Sequence, residues 1–312
     1  MKLITRYIII FLLIFAGQAK AQQYMQTSLK FENLSLINPA YKTVHDKKTI
    51  VLLHRSQWVG FKGAPMTDFV VYNSETTRKG VAWGASLIND HTGPMNNLML
   101  HGNFSYQIKL SKTKKVAFGA KAGANIMSAR FSDLKITDKG DEVFVNDDFT
   151  KIKPDFGLGI FYYTLKYYVG LSSPNIIPSK GDINISNHYY LMAGGAIPIN
   201  HNDAFLFIPE GLVKMVWGAP IQLEANLSIL IKYTALVGVN FRSGDAVGLH
   251  LGLEVMENLM VYYAFNYSYA NTTFTYNSGS HEIMLRYTLG SFNTFNKHKR
   301  RYRIGGGNYV KW

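Results

Sequence analysis

The sequence predicts an all-β protein, a transmembrane antiparallel β-barrel of about fourteen strands, on three observations. Apolar and polar residues alternate with a period of two through much of the chain. An export signal opens it, and beyond that signal no apolar stretch is long enough for a spanning helix, which needs about 20 residues.

Residues 1–21 read as the signal peptide. Lys2 and Arg6 make a positive start, Tyr7 to Ala16 supply one apolar run, and Ala19-Lys20-Ala21 is a small-x-small cleavage site ahead of Gln22. The chain holds no cysteine, so neither a lipid anchor on a new N-terminal Cys nor a disulfide is available. Residues 22–47 are too many for a simple lead-in. They are expected either to fold into the lumen as a plug or to face a partner, and the sequence leaves both open.

The barrel is expected over 48–290. From Val247 to Val255, the residues Val247, Leu249, Leu251, Leu253 and Val255 alternate with Gly248, His250, Gly252 and Glu254. The same rhythm runs through Ile221 to Ile229, Val261 to Tyr269 and Ile283 to Leu289. A helix would place residues three and four apart on one face, mixing Glu224 with Leu227 and Ser228, so helix fails as a reading. The 20 Tyr, 19 Phe and 27 Gly against 9 Pro also favour strands. A mean hydropathy of -0.03 fits a wall whose lipid-facing and lumen-facing residues cancel.

Strands are placed near 48–57, 67–75, 80–89, 98–110, 115–128, 154–163, 166–172, 187–196, 203–214, 220–230, 234–241, 246–255, 259–269 and 280–290. With the N-terminus inside the cell envelope, the inward turns fall at 76–79, 111–114, 164–165, 197–202, 231–233 and 256–258, all short. Outward loops fall at 90–97, 129–153, 173–186 and 270–279, most of them longer, as in bacterial barrels.

The formal charge of +13 is concentrated at the chain ends. Lys2, Arg6 and Lys20 belong to the signal, and Lys297, Lys299, Arg300, Arg301, Arg303 and Lys311 form a basic tail (291–312) without an acid. Little excess is left for the barrel body, which argues against a nucleic-acid groove.

Several pieces recur in a known order: Asn38-Pro39-Ala40-Tyr41, then Arg55-Ser56-Gln57-Trp58-Val59-Gly60-Phe61-Lys62-Gly63-Ala64-Pro65, then Asn89-Asp90 with Gly93-Pro94. Gly157-Leu158-Gly159-Ile160, Tyr168-Val169-Gly170-Leu171-Ser172 and Gly279-Ser280-His281-Glu282-Ile283 complete the set. Together they resemble the PorP/SprF family of the Bacteroidetes type IX secretion and gliding-motility system. The resemblance implies an outer-membrane protein that supports secretion or surface retention of large adhesin-like proteins carrying a type IX C-terminal signal. It further implies contacts with membrane lipids and with periplasmic secretion and motility proteins. The basic tail departs from a barrel that ends on its last strand.

Candidate partner contacts are Trp58, Gly60, Phe61, Gly63 and Pro65, a loop with rigid turn chemistry around two aromatics. The competing reading puts Trp58 in the interfacial aromatic girdle. Asn89 and Asp90 join them through the resemblance. In the tail, Arg300, Arg301 and Arg303 suit an acidic periplasmic partner, or else a solvated tail.

Catalytic and cofactor motifs are not found, and the expectation is a protein that is not an enzyme. His281-Glu282 lacks the second His of the zinc-protease motif and reads instead as a lumen or rim hydrogen-bond pair. Gly157 and Gly159 alternate in a strand and open no dinucleotide loop. Asp138, Asp141, Glu142, Asp147 and Asp148 lack calcium-loop spacing. A Ser/His set dispersed over the outer wall is left open, since such residues leave no local motif. The competing function class is a transport barrel for small hydrophobic or polar solutes.

Overall fold

The structure, a computed structural model, describes residues 26–44, 48–74, 76–131, 148–177, 186–200, 204–269 and 278–289. The strands are β1 (Lys48–Ser56), β2 (Met66–Asn73), β3 (Val81–Thr92), β4 (Met95–Lys109), β5 (Lys115–Ala129), β6 (Phe149–Tyr163), β7 (Tyr167–Asn175) and β8 (His188–Gly195). They continue with β9 (Ile197–Pro198), β10 (Phe205–Val216), β11 (Gln222–Ile231), β12 (Ala235–Arg242), β13 (Ala246–Met256), β14 (Leu259–Ser268) and β15 (Ser280–Leu289).

Neighbours in sequence pair antiparallel, and β15 returns to β1 in a register from Lys48↔Leu289 to Ser56↔His281. The sheet is therefore closed. Both β8 and the two-residue β9 pair with β10, so they are two pieces of one stave broken at Ala196. The barrel has fourteen staves, as the sequence predicts. Among the described residues no helix is long and apolar enough to cross a membrane.

Burial follows the alternation. In β13, Val247, Leu249, Leu251, Leu253 and Val255 are each 42–60% exposed, while His250 between them is 2% exposed. Exposed aliphatic and aromatic side chains recur in this way on every long strand, far more apolar surface than water tolerates and what lipid requires.

Four connections differ from the sequence expectation. Residues 90–97 are not a loop, because β3 and β4 run on to a two-residue turn, Gly93-Pro94, with Thr92 paired to Met95. The expected loop 129–153 is shorter, since Ala129 pairs with Phe149. In 173–186, β7 continues to Asn175, and the expected turn 197–202 contains β9. The physical reason is common to the first three: from the headgroup level outward both faces of a strand meet polar surroundings, so sequences such as Asn89-Asp90-His91-Thr92 pair without alternating.

The lumen holds two 3-10 segments, Ser28–Leu36 and Pro39–Val44. Every residue from Thr27 to Tyr41 is buried. Leu29, Leu34, Ala40 and Tyr41 join inward residues such as Phe161, Met192 and Tyr262 in the core.

Candidate functional site

The segment before β1 traverses the barrel from its loop end, where Ser56 and Ser280 lie, to its terminal end, where Lys48 and Leu289 pair. Three sets of contacts fix it along that path.

Near the loop end everything converges on Glu282, which is fully buried. Thr27 Oγ1 donates to one carboxylate oxygen at 2.5 Å, the Ser28 N–H donates to both at 3.0 Å, and the Leu29 N–H reaches Oε2 at 3.2 Å. Arg55 Nε donates to the same carboxylate at 3.2 Å. A buried carboxylate is tolerated only with this kind of satisfaction. Beside it Lys30 pairs with Glu224, and Arg242 stands 3.5 Å from Glu224 and 2.8 Å from Asp245.

Midway, Arg286 donates to the Glu32 carbonyl at 3.2 Å, lies 3.7 Å from the Glu32 carboxylate and covers the Tyr262 ring.

At the terminal third the segment meets bare wall. The Asn38 amide donates to the carbonyls of Ile160 and Leu171 at 3.1 and 3.2 Å, and Ser172 Oγ donates to the Ile37 carbonyl at 2.7 Å. A Cβ on Gly119 would lie 2.2 Å from the Ala40 nitrogen, and one on Gly159 would lie 2.1 Å from Asn38 Oδ1. These inward glycines make the close approach possible. Tyr41 then packs edge-on against Phe161 with ring centroids 5.3 Å apart.

The second feature is the rim loop between β1 and β2. Trp58, Gly60 and Gly63 have φ of +48°, +97° and +78°, which is why two of the three are glycine. The Gln57 N–H donates to the Pro65 carbonyl at 2.9 Å and closes the loop at its base. Val59 exchanges backbone bonds with Ser278 and Gly279, and Gly93 donates to the Gly63 carbonyl at 3.1 Å, so three connections are laced together. Phe61 is 52% exposed on this support, while Trp58 and Pro65 are half-buried.

Asn89 and Asp90 lie apart from the loop tip, on β3. Asp90 accepts from Thr67 Oγ1 at 2.6 Å beside the loop base, and Asn89 stands opposite Asp68. Arg300, Arg301 and Arg303 lie outside the described residues, as do residues 1–21, expected as a signal peptide, and Asp138, Asp141, Glu142 and Asp147. His281 and Glu282 are not a hydrogen-bonded pair, because adjacent strand residues face opposite sides. Glu282 holds the lumen segment, while His281 points outward to the Tyr263 hydroxyl at 2.7 Å.

A family model described as type IX secretion system membrane protein PorP/SprF matches residues 19–287. The chain belongs to the PorP/SprF family. Among solved structures it is similar to the CymD monoaromatic hydrocarbon channel, at 10% identity over 86% of this chain and 94% of that one, TM-score 0.52. It is also similar to Omp33 of Acinetobacter baumannii, at 10% identity over 79% of this chain and 100% of that one, TM-score 0.40. No curated protein matches the sequence. Family and fold together make the chain an outer-membrane barrel and a membrane component of type IX secretion.

For this PorP/SprF chain the sequence left the segment before β1 open between a lumen plug and a partner-facing stretch, and Thr27–Tyr41 lies in the lumen. Leu29, Phe31, Leu34, Leu36 and Ile37 make it apolar enough to be buried, but nothing within it says against what. The available signal was in the wall: Gly119, Gly159 and Gly170 fall at inward positions of three consecutive strands, and each would clash with Asn38, Pro39 or Ala40 if it carried a side chain.

Proposed function

We propose that the chain works as a plugged docking component of the type IX apparatus, supporting secretion or surface retention of adhesin-like proteins through protein contacts. The observation that carries this reading is the lumen, occupied by the chain's own Thr27–Tyr41 and tied at both ends by polar contacts. A filled barrel works by its surfaces. The laced rim with exposed Phe61 offers a preorganised anchor of the type that dominates protein recognition. With the terminal end toward the periplasm, the positive charge of Arg300, Arg301 and Arg303 suits acidic envelope partners of the secretion and motility machinery.

The full chain, purified in mild detergent, is expected to bring down envelope proteins and to show no stable conductance in planar bilayers. Steady pore currents from a barrel that purifies alone would favour a solute channel instead. Replacing Trp58 and Phe61 with Ala is expected to release adhesin into the medium at unchanged barrel abundance. Unchanged retention would remove the loop from the mechanism.

A further inference from the structure

At the loop end of β1 and β2 the outer wall breaks its apolar pattern. Leu52 and Val70 face outward, and the next outward positions toward the rim are His54, Ser56 and Asp68. His54 and Ser56 share a face because they are two apart on one strand, and the β1–β2 register sets Asp68 directly across from His54. His54 Nδ1 lies 2.7 Å from Asp68 Oδ1, and His54 Nε2 lies 2.9 Å from Ser56 Oγ. A carboxylate on one ring nitrogen and a hydroxyl on the other is the arrangement that turns serine into a nucleophile, on any fold.

None of the three touches the lumen segment, and the His54 and Asp68 side chains are 51% and 58% exposed. His54 and Asp68 line a groove of about 300 Å³ whose remaining lining is mostly apolar, with Leu52, Val70, Leu87, Ile283 and Leu285, and Ser56 follows His54 by two residues on the same face, one step nearer the rim. The groove suits an acyl chain. The polar edge suits the boundary between hydrocarbon and headgroups, where the ester carbonyl of a lipid lies. Across the other ladder His281 stands opposite Ser56, with Nδ1 2.7 Å from the Tyr263 hydroxyl. When that hydroxyl donates, the imidazole carries its proton on Nε2, a donor for an oxyanion.

We propose that Ser56, His54 and Asp68 form a hydrolytic site on the outer wall that cleaves acyl esters of membrane lipids. Ser56 Oγ attacks the ester carbonyl while its proton passes to His54 Nε2, and Asp68 holds the imidazole and stabilises the imidazolium. The carbon–alkoxy bond breaks, and His54 returns the proton to the leaving alkoxide, which departs as an alcohol. Water, deprotonated by His54, then cleaves the Ser56 acyl ester to a fatty acid and free Ser56. The net reaction is ester plus water to acid plus alcohol. Which leaflet supplies the lipid rests on the sidedness proposed above; the chemistry does not.

The test uses the full-length barrel, folded in detergent as judged by heat-modifiable mobility on gels. A long-chain alkyl fluorophosphonate should form an adduct mapped to Ser56 by mass spectrometry, and mixed micelles of phosphatidylethanolamine should release fatty acid. Release should fall on the order of a thousandfold or more in Ser56→Ala and His54→Ala, and on the order of a hundredfold in Asp68→Asn. All three positions face outward, so the variants should fold. A folded barrel that gives no Ser56 adduct and no fatty acid overturns the proposal, as does release that persists in Ser56→Ala.

Discussion

Asn38 occupies the place that a side chain on Gly159 would take, since a Cβ there would stand 2.1 Å from Asn38 Oδ1. The wall of β6 is thus shaped around the segment that precedes β1. The same holds for Gly119 under Ala40. A lumen segment that merely rested in the barrel would not need bare backbone opposite it.

Gly159→Val should therefore destabilise the barrel by about 1–3 kcal/mol, the usual range for overpacking. The measurement is the temperature at which the heat-resistant folded band is lost. Combining it with Asn38→Ala should cost less than the sum of the two single changes, because the second removes the atom the first collides with.

Glu282 makes a sharper case. Removing it as Glu282→Leu leaves the buried Arg55 charge without its carboxylate, with the neutral Gln57 Oε1 still accepting from it at 2.6 Å, and deprives the Ser28 and Leu29 N–H groups of their acceptor. A loss of about 3–5 kcal/mol is expected for breaking one side of such a pair. Adding Arg55→Met should recover part of it, since no unpaired charge then stays buried. Equal stability of the single and double variants would mean that Arg55 finds another partner.

The outer wall gives a control of opposite kind. Leu251 is 50% exposed at the middle of β13, and its neighbour Gly252 faces inward. Leu251→Arg should reduce folding into lipid vesicles by about 2–4 kcal/mol, the cost of arginine at the bilayer midplane. In short-chain detergent, where the arginine head reaches water, the penalty should shrink.

Much of this architecture was legible in the residues. Strands β11 to β15 announce themselves because one face meets lipid and the other the lumen, so Leu249 and His250 fall on opposite sides by character alone. The rim was less legible. Asn89 to Thr92 and Phe149 to Lys153 are paired strand, and from the headgroup level outward both faces meet polar surroundings, so no solvent difference writes a pattern into the sequence. Nothing local to Lys30 and Glu32 names their partners, and only the closed sheet brings Glu224 and Arg286 to them. His54, Ser56 and Asp68 escape notice for a similar reason: two strands must be in register before a hydroxyl, an imidazole and a carboxylate become neighbours.

The passage of residues 27–41 through the lumen is tested most directly by cross-linking. The chain has no native cysteine, so paired substitutions report cleanly. Ser28 Oγ and Asn266 Oδ1 lie 2.6 Å apart inside the barrel, whereas Tyr267 faces outward. A short bis-maleimide should link Ser28→Cys to Asn266→Cys in folded barrel, giving an altered gel mobility, and should fail with Ser28→Cys and Tyr267→Cys. A folded barrel in which the inward pair does not link, or in which both pairs link equally, would contradict a plugged lumen.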